Sequence, residues 1–214
     1  EFIKNNWSIK SLIREIMNSQ NYQMDSENDL DKIKIDPENI FLWKQNSRRL
    51  DAESIRDTIL YVGGNLQSSE GGPSIKPGTK TEYGYIFKSS TRSIYNPVFR
   101  NTLPEIMQVF DFADPNMVTG KRTNSSVPTQ ALYMLNSSFI RENSINAAKK
   151  FTLEFNTDNS SKIENAYKKV LGRIPSPKEI QIIQDYLTSQ KDELKSWSNI
   201  FQSLFSSIDF RFVN

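Results

Sequence analysis

Only one short stretch of this 214-residue chain alternates its side chains as a strand does; elsewhere the apolar residues recur at helical spacing. The exception is Tyr83, Tyr85 and Phe87, interleaved with Gly84, Ile86 and Lys88. Residues 92–96 are able to pair with it before Pro97 ends the run. A ribbon that small needs helices to pack on. The expected fold is therefore mainly α, an irregular helical domain carrying one small antiparallel β ribbon near residues 83–96.

The helical segments are well punctuated. Ile9, Leu12, Ile13, Ile16 and Met17 share one face behind a capping Ser8. Residues 21–34 are polar and acidic and read as loop. Asp36-Pro37 looks like a helix start, with Phe41, Leu42 and Trp43 as its apolar patch. Asp51 caps a helix that turns Ile55, Ile59, Leu60 and Val62 inward and stops at Gly63-Gly64. Further helices open at Pro104, at Val127-Pro128 and at Ser138. Near the end, Ile163, Ala166, Tyr167, Val170 and Leu171 form a face stopped by Gly172. Ser176-Pro177-Lys178-Glu179 is a capping box, and Trp197, Ile200, Phe201, Leu204 and Phe205 make a last amphipathic helix. Three parts follow: a helical part over 1–66, a loop-rich part over 67–136 holding the ribbon, and a helical part over 137–214. They are expected to form one compact unit cut from a longer polypeptide, because the chain opens on Glu1-Phe2-Ile3 ahead of an amphipathic segment.

Composition narrows the chemistry. Cysteine and histidine are both absent. That removes thiol nucleophiles, disulfides, zinc sites built on Cys or His, and every triad with a histidine base. It also removes thioether attachment of haem, so no cofactor is expected on this segment. Any catalysis would fall to carboxylates, Lys, Tyr, Ser or Thr. The 27 basic and 25 acidic residues nearly cancel, and without a concentrated basic face a nucleic-acid partner is disfavoured. No run approaches the roughly 18 apolar residues of a membrane span.

Residues 92–136 hold the candidate site. Long irregular segments that are not of low complexity usually carry function. Glu105, Asp111 and Asp114 could act as paired carboxylates, with two acids flanking a sugar as the model; the plainer reading makes Asp111 and Asp114 turn-formers. Asp111, Asp114 and Asn116 do not complete a calcium loop, since the twelfth position from Asp111 is Arg122 rather than Glu; no metal site is assigned. Arg92, Arg100 and Arg122, with Asn101 and Asn116, are the binding candidates. The arginines are expected to lock the segment by pairing with Asp111 or Asp114, and anion binding comes second. Arg49, Glu53, Arg56 and Asp57, at spacings of three and four, read first as a solvated helix face and second as a charged site facing a groove. Gly71-Gly72-Pro73-Ser74 lacks the phosphate-loop pattern and is a turn. The rings of Tyr83, Tyr85, Phe87, Tyr95 and Phe99 read as packing first and as a sugar platform second.

A collinear series of motifs runs through the chain: WSIKSLIREIM at 7–17, DPENIFLW at 36–43, RRLDAESIRD at 48–57, GGPS at 71–74, RSIY at 92–95, RN at 100–101, FDFADPN at 110–116, VPTQALYMLN at 127–136 and LGRIPSPKE at 171–179. In that order they resemble the C-terminal domain of unknown function of large exported planctomycete-type proteins. This chain departs from the family in being richer in Lys, Asn, Ile and Ser. The resemblance implies a periplasmic or cell-surface setting and a haem c domain on the parent polypeptide. It also implies partners among the other domains of that parent, with polysaccharide as a further possibility. The function expected is a non-catalytic interaction or scaffold domain; the alternative is a carboxylate-using carbohydrate enzyme or an anionic-glycan module.

Overall fold

A computed structural model describes residues 1–69, 71–75, 77–79, 82–155 and 158–213. Among the described residues the chain is mainly helical with one two-stranded antiparallel sheet, as its periodicity predicts. It divides into two units, residues 1–49 with 212–214, and residues 50–211.

The first unit holds α1 (Ile9–Met17), α2 (Leu30–Ile35) and the sheet. Ser8 caps α1 as expected, its hydroxyl accepting from the Ser11 amide at 3.3 Å. Two expectations fail here. Residues 21–34, expected as loop, hold most of α2, whose N-terminus is held by Asp29 accepting from the amides of Asp31 and Lys32. Asp36, rather than opening a helix, closes α2 and folds its carboxylate onto the amides of Ile40 and Phe41, at 2.9 and 2.8 Å. Asp36-Pro37 is locally compatible with either role, and α2 already occupies the chain before it. None of the described apolar residues in this unit is fully buried, and side-chain hydrogen bonds such as Asn39 Nδ2 to the Lys44 carbonyl, 2.7 Å, fix its loops.

The sheet is not near residues 83–96. It joins β1 (Arg48–Arg49) to β2 (Phe212–Val213), with Arg48 opposite Val213 and Arg49 opposite Phe212. At the expected place Gly84 sits at φ 73°, a left-handed turn that breaks an extended run. The rings of Tyr85, Phe87 and Phe99 instead pack on one another, Tyr85 edge-on to both others with centroids 5.0 Å apart. Of the ribbon, an isolated parallel bridge from Gln67 to Thr91 is what forms.

The second unit contains α3 (Ala52–Val62), a short 3-10 turn (Ser93–Tyr95), α4 (Glu105–Val109), α5 (Pro128–Asn136), α6 (Ser138–Glu154), α7 (Asn159–Leu171), α8 (Pro177–Ser189), α9 (Glu193–Ser206) and α10 (Ile208–Arg211). Its core is aromatic: Phe151 on α6 lies 4.9 Å from Trp197 and 5.3 Å from Phe201 on α9, all fully buried. Ile55, Ile59 and Val62 of α3 join that core together with Ile106 and Met107 of α4. This fixes which side of α3 is left for the loop segment. The Ser176 capping box opens α8 and the left-handed Gly172, φ 70°, closes α7, both where expected.

Candidate functional site

The site is built on α3. Its buried stripe is Ala52, Ile55, Arg56, Ile59 and Leu60, helical spacing with a guanidinium at one core position. A buried charge must be paired and hydrogen bonded, and Arg56 is. It donates to Asp57 Oδ1 at 3.1 Å, to the Thr91 carbonyl at 3.0 Å, to Ser93 Oγ at 3.1 Å and to the Ser89 carbonyl. Burial pulls the guanidinium below its ordinary value and the Asp57 carboxylate opposes that. Asp57 in turn accepts from the Ser93 amide at 2.9 and 3.0 Å and from its hydroxyl at 2.7 Å. Two adjacent residues of one helix thus clamp residues 89–93. The solvated-face expectation for Glu53, Arg56 and Asp57 is therefore wrong; Arg49 belongs to the other unit. The sequence did hold a signal, namely an arginine standing inside the apolar stripe.

Beside this clamp lies a groove of about 680 Å³. Glu53 and Asp57 of α3 form one wall, the 92–98 loop the other, and Leu103, Met107 and Phe112 give it an apolar lining. Two of the expected binding residues line it. Arg122 donates to Glu53 at 2.7 Å and lies over the Phe112 ring, 4.9 Å from its centroid. Arg92 reaches only to 3.9 Å from Asp57, and its side chain is 67% exposed.

The remaining candidates are elsewhere. Asp111, half-buried at φ 58°, accepts from the Ser125 amide at 2.8 Å and from its hydroxyl. Asp114 is an exposed turn-former accepting from the Asn116 amide at 2.8 Å. Asn116 also donates to the Arg100 carbonyl at 3.0 Å, and Asn101 donates to Glu82. Arg100 is exposed. Glu105, exposed on α4, borders a separate recess beside Tyr133, whose phenol is pushed up chiefly by burial. The expected pairing of arginines with Asp111 or Asp114 does not form: Arg122 locks instead onto Glu53 of α3, and Arg92 comes only within 3.9 Å of Asp57. Local spacing shows only the acids inside 92–136, whereas the carboxylates that face these arginines are more than thirty residues away.

A second ionic cluster stands at the α7–α8 turn. Arg173 forks onto Glu179 at 2.7 and 3.0 Å, donates through Nε to Asp209 at 2.9 Å and lies over the Tyr167 ring. The Arg173 hydrogen bonds, together with those from Ser176, hold Glu179 down at about 2. Burial pushes the Tyr167 phenol up to about 12. This cluster fastens the turn. Among the described residues no group of three or more acidic side chains converges as a metal cage would need.

A family model described as PSD1, protein of unknown function (DUF1553), matches residues 1–187, and the chain belongs to that family. The matched stretch contains the whole groove and its clamp. No curated protein and no solved structure matches the chain.

Proposed function

We propose that this DUF1553 member is a non-catalytic interaction domain of a larger exported polypeptide, and that the α3 groove receives a neighbouring domain. The observation that carries the reading is the state of the groove's acids. Asp57 has both oxygens engaged by Ser93 and one also by Arg56, and Glu53 is bonded to Arg122. A general acid or base must be free to exchange a proton with its substrate; these carboxylates serve instead as fixed counter-charges. Between them the lining is apolar, with Ile94 78% and Val98 52% exposed at its edge. Uncovered apolar side chains beside satisfied charges suit docking. The family resemblance adds the setting: periplasm or cell surface, with a haem c domain on the same polypeptide as one candidate neighbour.

The runner-up is an anionic-glycan module, favoured by the exposed guanidinium of Arg92. The test offers the purified chain neutral, uronic and sulfated glycans, and separately the remainder of its parent polypeptide. Association with the remainder, without glycan turnover, is expected. Turnover lost in a folded Glu53→Gln or Asp57→Asn protein would overturn the reading, and so would failure to associate with the remainder.

A further inference from the structure

Three carboxylates, Asp51, Glu53 and Asp57, and three guanidinium groups, Arg56, Arg92 and Arg122, surround the groove, and they are unequally engaged. Glu53 is matched by Arg122 at 2.7 Å, and Asp57 by the buried Arg56 at 3.1 Å. Asp51 is committed to the N-terminus of α3, where it accepts from the Ser54 amide at 2.7 Å. Arg92 is left over. Its Nε stands 3.9 Å from a carboxylate oxygen that already accepts from Ser93, beyond hydrogen-bond reach. A guanidinium with its fork unspent seeks a carboxylate or phosphate.

The wall next to Arg92 adds a second requirement. Ile94 and Val98 are largely exposed there, and Leu103, Met107 and Phe112 line the space between them and α3. Sugar hydroxyls set against aliphatic side chains would lose their hydrogen bonds; aliphatic side chains would not. A third observation concerns the backbone. Among the described residues, the amides from Val98 to Leu103 make no backbone hydrogen bond, although Val98 and Leu103 both border the groove. The main-chain amides of Val98 and Leu103, unused by the backbone and at the groove's border, are available to the carbonyls of an extended peptide.

We infer that the groove binds an extended peptide segment in which a carboxylate side chain, seated on Arg92, flanks aliphatic residues that lie against Val98, Leu103 and Met107. The inference rests on the interaction reading and names the chemistry of the partner segment. Fluorescence anisotropy with the whole 214-residue chain tests it, using three probes. These are a labelled ten-residue peptide alternating Asp with Leu, the same peptide with Lys for Asp, and a labelled oligogalacturonate. The Asp-Leu peptide is expected to bind, to weaken at least tenfold on Arg92→Ala, to recover in part on Arg92→Lys, and to be lost on Val98→Asp. Both side chains are mostly exposed, so each variant should melt with the parent. Equal binding of the Lys peptide, preference for oligogalacturonate, indifference to Arg92→Ala, or no peptide binding would each overturn it. The two readings fail separately. Association with the parent remainder that survives Arg92→Ala and Val98→Asp sinks the peptide assignment alone, whereas absence of association sinks the interaction reading.

Discussion

Replacing Arg56 with methionine isolates the clamp, because the new side chain keeps the aliphatic stem and removes the charge and every donor. The guanidinium makes four hydrogen bonds, one to the adjacent carboxylate and three to residues 89–93, from a side chain 8% exposed. Removing one partner of a buried ion pair costs roughly 3–5 kcal/mol, because the other charge is left alone. Two features pull the figure toward the lower end. Asp57 is 17% exposed and keeps its Ser93 bonds, and the Ser89 carbonyl belongs to an exposed residue that water can reach. About 3 kcal/mol is expected, which for a unit of this size lowers the melting temperature by about 6–12 °C. Urea unfolding followed by far-UV circular dichroism measures it. A double-mutant cycle with Asp57→Asn should show a coupling above about 1 kcal/mol, since the two share one network. A loss under about 0.5 kcal/mol in Arg56→Met, with no coupling, would refute the clamp and restore the solvated-face reading.

Other outcomes follow from the same geometry. Glu179 is held at about 2 against an ordinary 4.5, so its contribution to stability is present above pH about 4.5 and disappears as pH falls toward 2; Glu179→Gln should flatten that part of an acid-unfolding curve. Asp111→Asn keeps a residue type that tolerates φ 58° but weakens the acceptor for Ser125, at a cost of about 1–2 kcal/mol by denaturant titration. The exposed turn at Asp114 should tolerate Asp114→Asn within about 0.5 kcal/mol. Gly172→Ala meets no atom within 4 Å, so only the left-handed backbone resists it; a loss of about 1 kcal/mol is expected, and none at all would contradict the φ of 70°.

What was legible in the chain alone was local. Asp51, Ser176-Glu179 and Gly172 begin or end their helices through bonds and torsions that span four residues or fewer, so their spacing suffices. The apolar stripe of α3 was equally visible, and the absence of cysteine and histidine excluded thiol and imidazole chemistry outright. The sheet was not legible, because β1 and β2 lie more than 160 residues apart and two-residue strands leave no alternation to read. Nor was the short run 83–88: its period is that of a strand, yet Gly84 turns left-handed and the rings find Phe99. The groove belongs to the same class. Spacing showed that Glu53, Arg56 and Asp57 share a helix, but whether Arg56 faces water or Ser93 depends on a loop 33–37 residues further along the chain. Only packing of α3 against α4 and α6 brings that loop to the helix, and burial then turns a pair of surface-like charges into a clamp.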